Sequence, residues 1–185
     1  MEREILLGQI DAPRQDRAAL MYRSGDLELE VQRASSMVAE LAPLDLWIRD
    51  LLNADDLLVI DEPEAHLHPR NQRLIARVLA RVASSGVRVL ILTHSSTIVH
   101  QISNVVRSSL LDSKERLAIG LDDDDILRPD QVGLYRFRST SDGVVVDEIP
   151  YDPEFGFPEE GFYEVAEAIS DETFEIESRL PVTQS

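Results

Sequence analysis

The stretch Leu57-Leu-Val-Ile-Asp-Glu-Pro-Glu-Ala-His-Leu-His-Pro69 decides the fold. Its four consecutive apolar residues suit a strand buried on both faces, as in a parallel sheet. Asp61 and Glu62 then end the run, and open α/β sheets place their ligands at that end of a strand. Pro69 occupies the favoured first-turn position of a helix that runs to about Ser84, with Gly86 as its stop. The inner stripe of that helix is Leu74, Ile75, Val78, Leu79 and Val82. Arg70, Arg73, Arg77 and Arg81 fall at i, i+3, i+7 and i+11, which is one outer face. Val87 to Leu92 reads as a second buried strand. Strand, helix and strand in succession predict a parallel pair with a right-handed crossover. Ser95 or Ser96 caps a further helix reaching about Val106.

Working outward, Ala18–Arg23 and Leu27–Gln32 flank Ser24-Gly25-Asp26 and predict a β-hairpin. Ser35-Ser36 offers an N-cap for Met37–Leu52, where Pro43 predicts a kink or two short helices. Downstream, Asp122–Asp125 reads as a solvated acidic loop. Gly133–Arg138 and Val144–Ile149 bracket a turn and predict a second hairpin. Phe155-Gly-Phe-Pro is a turn with two aromatics to bury, Gly161 to about Ser170 a short helix, and the last residues are expected to fray. No repeat recurs at a solenoid period. The expected fold class is α/β, a mainly parallel sheet with flanking helices and antiparallel hairpins near both ends. Three segments are expected: a hairpin over 1–34, a central lobe over 35–108 and an acidic extension over 109–185.

The residues suggest chemistry. A carboxylate at Asp61 suits Mg²⁺ held through water, and Glu62 is placed to polarise an attacking water. The plainer reading is a pair of acids that merely ends a strand. Ser35 and Ser36 sit at a helix start, where N–H groups bind anions, although capping alone also explains them. His66-x-His68 suggests a metal pair, with His94 or Asp61 completing it. That pair lies between an Asp-Glu-Pro turn and a helix-starting proline, hence in a loop, which argues against a metal site.

These motifs together resemble a known family. Leu57 to Pro69 closely resembles the extended Walker B plus D-loop of ABC-type P-loop ATPases of the AAA kind. The SMC-like and overcoming-lysogenization-defect branch is the most similar. Thirty-three residues after Asp61, Ile91-Leu-Thr-His94-Ser-Ser resembles the switch histidine loop. Ala34-Ser-Ser-Met-Val-Ala-Glu-Leu-Ala-Pro43 resembles the branch's signature motif, with Met37-Val38 in place of the transporter-type glycine pair. The resemblance implies ATP and Mg²⁺ as ligands, Asp61 as the Mg²⁺ residue, Glu62 as general base and His94 as the γ-phosphate contact. It implies that Ser35 or Ser36 faces a γ-phosphate on the opposite protomer of a head-to-tail dimer. Glu64, His66 and His68 then form the D-loop that touches that protomer.

Composition sets the limits. The chain has 185 residues, 43% of them hydrophobic, which excludes wholesale disorder. There is no cysteine, hence no disulfide or thiolate chemistry. Neither a membrane span nor a secretory leader is expected, since Met1-Glu2-Arg3-Glu4 has no apolar run, and cytoplasm is the default compartment. The single lysine, Lys114, follows Ser113, so no G-K-[ST] phosphate loop exists in this sequence. The expected function is therefore an ATP-hydrolysing C-terminal lobe that works only with a Walker A-bearing lobe or subunit. The alternative is a non-catalytic module that binds protein or nucleic acid through the arginine face.

Charge is uneven. The net charge is −17, and residues 111–185 hold 6 basic and 20 acidic side chains, net −14. With seventeen arginines to one lysine, this acidity suggests a salt-adapted protein whose carboxylates need screening. The melting temperature is expected to rise between about 0.1 M and about 2 M KCl, and an unchanged melting curve would refute salt adaptation.

Overall fold

The computed structural model describes residues 1, 5–13, 19–158 and 163–180, with the backbone alone for 163–166. The readings made above for Glu2–Glu4, Ala18, Gly161 and the final residues 181–185 lie outside them.

In chain order, β1 (Gln9–Asp11), β2 (Met21–Ser24) and β3 (Leu27–Glu30) form an antiparallel sheet in the order β1-β2-β3. The expected hairpin thus gains a third strand. Next, α1 (Ser36–Leu46) opens on Ser35, whose hydroxyl accepts from the Val38 N–H at 3.4 Å. Pro43 lies inside α1 and does not break it. The chain instead widens into a π-helical turn at Trp47–Leu51, closed by the Leu52 N–H on the Trp47 carbonyl at 2.9 Å.

The central unit follows. β4 (Leu57–Asp61), α2 (Pro69–Ser84), β5 (Arg88–Leu92) and α3 (Ser96–Ser108) form within a residue or two of the expected bounds. β4 and β5 pair in parallel, with Leu57 opposite Arg88 and Asp61 opposite Leu92. A short α4 (Ser113–Ala118) leads to β6 (Leu134–Thr140) and β7 (Gly143–Ile149), an antiparallel hairpin closed by Ser141-Asp142. The final helix is longer than expected, α5 (Tyr163–Arg179). The fold class is therefore α/β with a parallel pair and antiparallel hairpins, the parallel part being two strands among the described residues.

The main core joins Ile5, Leu6 and Ile10 to Val38 and Leu41 of α1, Leu58 of β4, Ile75 and Leu79 of α2, and Ile98 of α3. Burying each large aliphatic side chain stabilises the fold by about 1.5–3 kcal/mol. Ala80, Val105, Val106, Leu127 and Phe157 make a second cluster on the far side of α2. Ala80 is buried in that second cluster, whereas Ala76 is buried in the main core, against which Leu74 and Val78 are only partly covered. Of the two turn aromatics only Phe157 is buried, stacked edge-on against Tyr151 at 5.3 Å; Phe155 stays exposed.

Three expectations need correction. The sheet is covered on one face only: Leu58 is buried, but Leu57, Val59, Leu90 and Leu92 are 46–57% exposed. Alternate residues of a strand point to opposite faces, so these four form one open apolar side. Second, the acidic run is not simply solvated. Asp123–Asp125 forms a 3₁₀ turn, and Asp125 is only 1% exposed. Third, the arginine row is not a free face. Arg77 Nη2 donates to Asp125 Oδ2 at 2.8 Å, and Arg81 Nη2 to Asp125 Oδ1 at 2.7 Å. Arg73 Nε donates to buried Gln101 at 2.8 Å. A buried carboxylate requires such partners, and helical spacing places two guanidiniums where one aspartate meets both.

Burial by itself raises the pKa of Asp125, but hydrogen bonds from Arg77, the Asp122 N–H and Arg81 outweigh it and hold the carboxyl below the usual carboxylate value. A depressed folded-state pKa means that the clamp stabilises fully above about pH 4 and is lost as pH falls through the folded value. Asp125→Asn is accordingly expected to lose about 2–3 kcal/mol at neutral pH, since it leaves two arginines without their carboxylate. Urea unfolding at neutral pH and near pH 3 checks this, because the gap from the parent protein should shrink in acid.

Candidate functional site

The parallel register sets the geometry. The strands run the same way, so the residues following β4 and those following β5 emerge at one edge. The Glu62 N–H donates to the Leu92 carbonyl at 2.8 Å, extending the ladder one step past Asp61. Asp61 and Glu62 are exposed there. His94 lies beside them with Nε2 3.9 Å from Glu62 Oε1, the two side chains being 90% and 57% exposed. The pair is just beyond hydrogen-bond length and open to solvent, which suits groups that meet a ligand between them.

Backbone strain marks the same turn. Glu62 has φ +48° and His66 φ +56°, the left-handed region that favours glycine. Such residues are costly to hold and concentrate where a site needs a particular direction. Hydrogen bonds from Ala65 N–H to the Glu62 carbonyl and from Leu67 N–H to the Glu64 carbonyl, both 2.9 Å, maintain the turn.

The other expected residues take distinct places. Ser35 is the N-cap of α1 and its hydroxyl is engaged there, while Ser36 is exposed. Neither bonds to Asp61, Glu62 or His94 among the described residues. His66 Nε2 lies 3.2 Å from Glu40 Oε1, tying the turn to α1. His68 caps α2, its Nδ1 accepting from the Arg70 N–H at 3.3 Å. Glu64 turns inward onto Thr93 and the His94 N–H. His66 and His68 therefore diverge, and among the described residues no three metal-ligating side chains gather. Asp61 and Glu62 supply hard carboxylate oxygens, a donor set that fits Mg²⁺ bound by one protein carboxylate, water and phosphate rather than in an all-protein cage.

A groove of about 750 Å³ lies elsewhere, lined by Arg73, Thr97, His100, Asn104 and Arg107, with Asp61, Glu62 and His94 not among its walls. Thr93, which the sequence marks only as part of the His94 loop, and Gln72, which no local pattern marks, belong to the site's support through partners 23–29 residues away.

The comparisons with known proteins agree with this geometry. Residues 10–100 match a family model described as "AAA domain, putative AbiEii toxin, Type IV TA system". A putative ABC transporter ATP-binding protein of Methanosarcina acetivorans is 33% identical over 72 residues, 39% of this chain and 25% of the relative. The matched region thus spans about a quarter of that relative's length. One solved chain, from work on ATP-driven dimerization and DNA stimulated activation of SMC ATPases, superposes with TM-score 0.49 at 10% identity. It covers 88% of this chain and 80% of that one, a likeness too distant to fix the fold by itself. No helix among the described residues is long and apolar enough to cross a membrane. The parallel strand pair presents Asp61, Glu62 and His94 inside the span, residues 10–100, that is similar to this AAA-domain family.

Proposed function

We propose that this chain is the ATP-hydrolysing C-terminal lobe of an SMC-like ATPase, working with Mg²⁺ and with a phosphate-loop lobe that its own sequence does not supply. The observation that carries the reading is the meeting of Asp61, Glu62 and His94 at one end of the β4–β5 ladder. Asp61 would hold Mg²⁺, the cation that the ATPase reading calls for. Glu62, exposed and pointing off the strand end, accepts a proton from the attacking water. His94 presents its imidazole to the γ-phosphate, and exposed Ser36 at the start of α1 offers a hydroxyl to a nucleotide on an opposing protomer. Bound Mg-ATP supplies the phosphoryl group and the cation that offsets its charge.

The open apolar side of the sheet supports the need for a second lobe. Leu57, Val59, Leu90 and Leu92 leave one face of a strand pair without cover, and both outer edges are unpaired among the described residues. A packed lobe bearing the phosphate loop satisfies both. Head-to-tail dimerisation then brings Ser36 and the turn at Glu64–His68 toward the partner. The arginine reading has less support, because Arg73, Arg77 and Arg81 are engaged internally and only Arg70 of the row has a guanidinium without a partner among the described residues.

Two substitutions at one residue test the proposal. Alone, the chain is expected to bind ATP weakly and to hydrolyse none. Supplied with a cognate phosphate-loop lobe, it should turn over ATP in a Mg²⁺-dependent way. Glu62→Gln should then lower turnover by about 10²–10⁴-fold while nucleotide binding persists, since glutamine keeps the shape but accepts no proton. Undiminished turnover of that variant would eliminate the mechanism. Glu62→Gly should be equally inactive yet raise stability by about 0.5–1 kcal/mol, because relief at φ +48° exceeds glycine's entropic cost. Chemical denaturation measures that gain, and a net loss would show that the left-handed turn is unstrained.

A further inference from the structure

We infer that Glu64 is a positioning residue, which sets the His94 loop against Glu62 through its carboxylate. Glu64 Oε1 accepts two hydrogen bonds, from Thr93 Oγ1 at 2.8 Å and from the His94 backbone N–H at 2.7 Å. The Thr93 hydroxyl has one proton, which it gives to Glu64, so it can only accept from the Ser95 N–H, at 3.0 Å. Ser95 Oγ donates to Gln72 Oε1 at 2.7 Å, and Gln72 Nε2 donates to the Leu67 carbonyl at 3.1 Å. The path therefore starts in the turn after β4, passes through the loop after β5 and α2, and returns to the same turn.

Among the described residues no hydrogen bond holds the His94 imidazole. Its imidazole is 90% exposed and lies 3.9 Å from Glu62 Oε1, so its place is set by its backbone. That backbone is held at its N–H, which donates to Glu64 Oε1. The second carboxylate oxygen, Oε2, is buried and has no hydrogen-bond partner among the described residues. Glutamine at this position keeps both accepted hydrogen bonds through its carbonyl oxygen, while it removes the charge and places an NH2 group where Oε2 lies. The use made of His94 rests on the ATPase reading above; its placement by Glu64 does not.

Amide hydrogen exchange of the full chain separates these points. In Glu64→Ala the His94 amide should exchange about tenfold faster, the factor that one net hydrogen bond contributes. Amides of the β4–β5 ladder should hold their rates, and Glu64→Gln should restore slow exchange at His94. Thr93→Val, which removes one of the two bonds and leaves the carboxylate, should give a smaller acceleration and serves if Glu64→Ala does not fold. Unchanged exchange at His94, or an equal acceleration across the ladder, overturns the inference, the second by showing a merely structural role. With a phosphate-loop lobe supplied, Glu64→Ala should lower kcat about tenfold with little change in KM for ATP, and Glu64→Gln should recover it. Parent-like kcat in Glu64→Ala also overturns the inference. Absent turnover in the parent protein would sink the ATPase reading, and the exchange rates would still decide the placement.

Discussion

The arrangement depends on the register of β4 against β5. Because the two strands are parallel and Asp61 stands opposite Leu92, the acidic pair and the histidine loop leave the sheet at the same edge. An antiparallel pairing of the same two segments would put them at opposite ends, and a slip of one residue would turn Leu58 out of the core. The register is in turn held by α2, which must cross over the sheet and bury Ile75 and Leu79 against Leu58 and Ile98. Hydrophobic burial thus fixes a backbone relation, and that relation places charged groups that have no attraction of their own.

A second constraint acts behind the sheet. The outer side of α2 carries guanidiniums in a chain of net charge −17, and the segment 121–125 folds back to meet them. Asp125 is buried under two arginines, and the Ser84 hydroxyl reaches the Asp124 carbonyl at 2.7 Å. The helix is therefore held on three sides, by sheet, by α3 and by an acidic strap. A rigid α2 matters at its other end, where Gln72 supports the loop that carries His94.

The open side of the sheet and the strained turn belong together. Glu62 is held in a left-handed conformation at the end of β4, and four apolar side chains of the same strand pair are exposed. Within one compact domain both features are unfavourable. Both would be offset by a second lobe packed on the sheet, as the proposed function requires.

Much of this was legible in the residues. The run Leu57–Ile60, the proline at the first turn of α2 and the glycine after its end determined strand, helix and strand, because these signals are local and period-based. The same local grammar placed Asp61, Glu62 and His94 at strand ends and Ser35 at a helix start. What only the tertiary structure decided were pairings between distant segments. A run of aspartates looks the same whether solvated or clamped, and only the position of the 121–125 strap relative to α2 made Asp125 a buried partner of Arg77 and Arg81. An apolar tetrad likewise looks the same whether both faces are packed or one is bare. The donors to Glu64, Thr93 Oγ1 and the His94 N–H, come from the loop after β5, and no spacing within a single segment encodes a hydrogen bond that the parallel register creates.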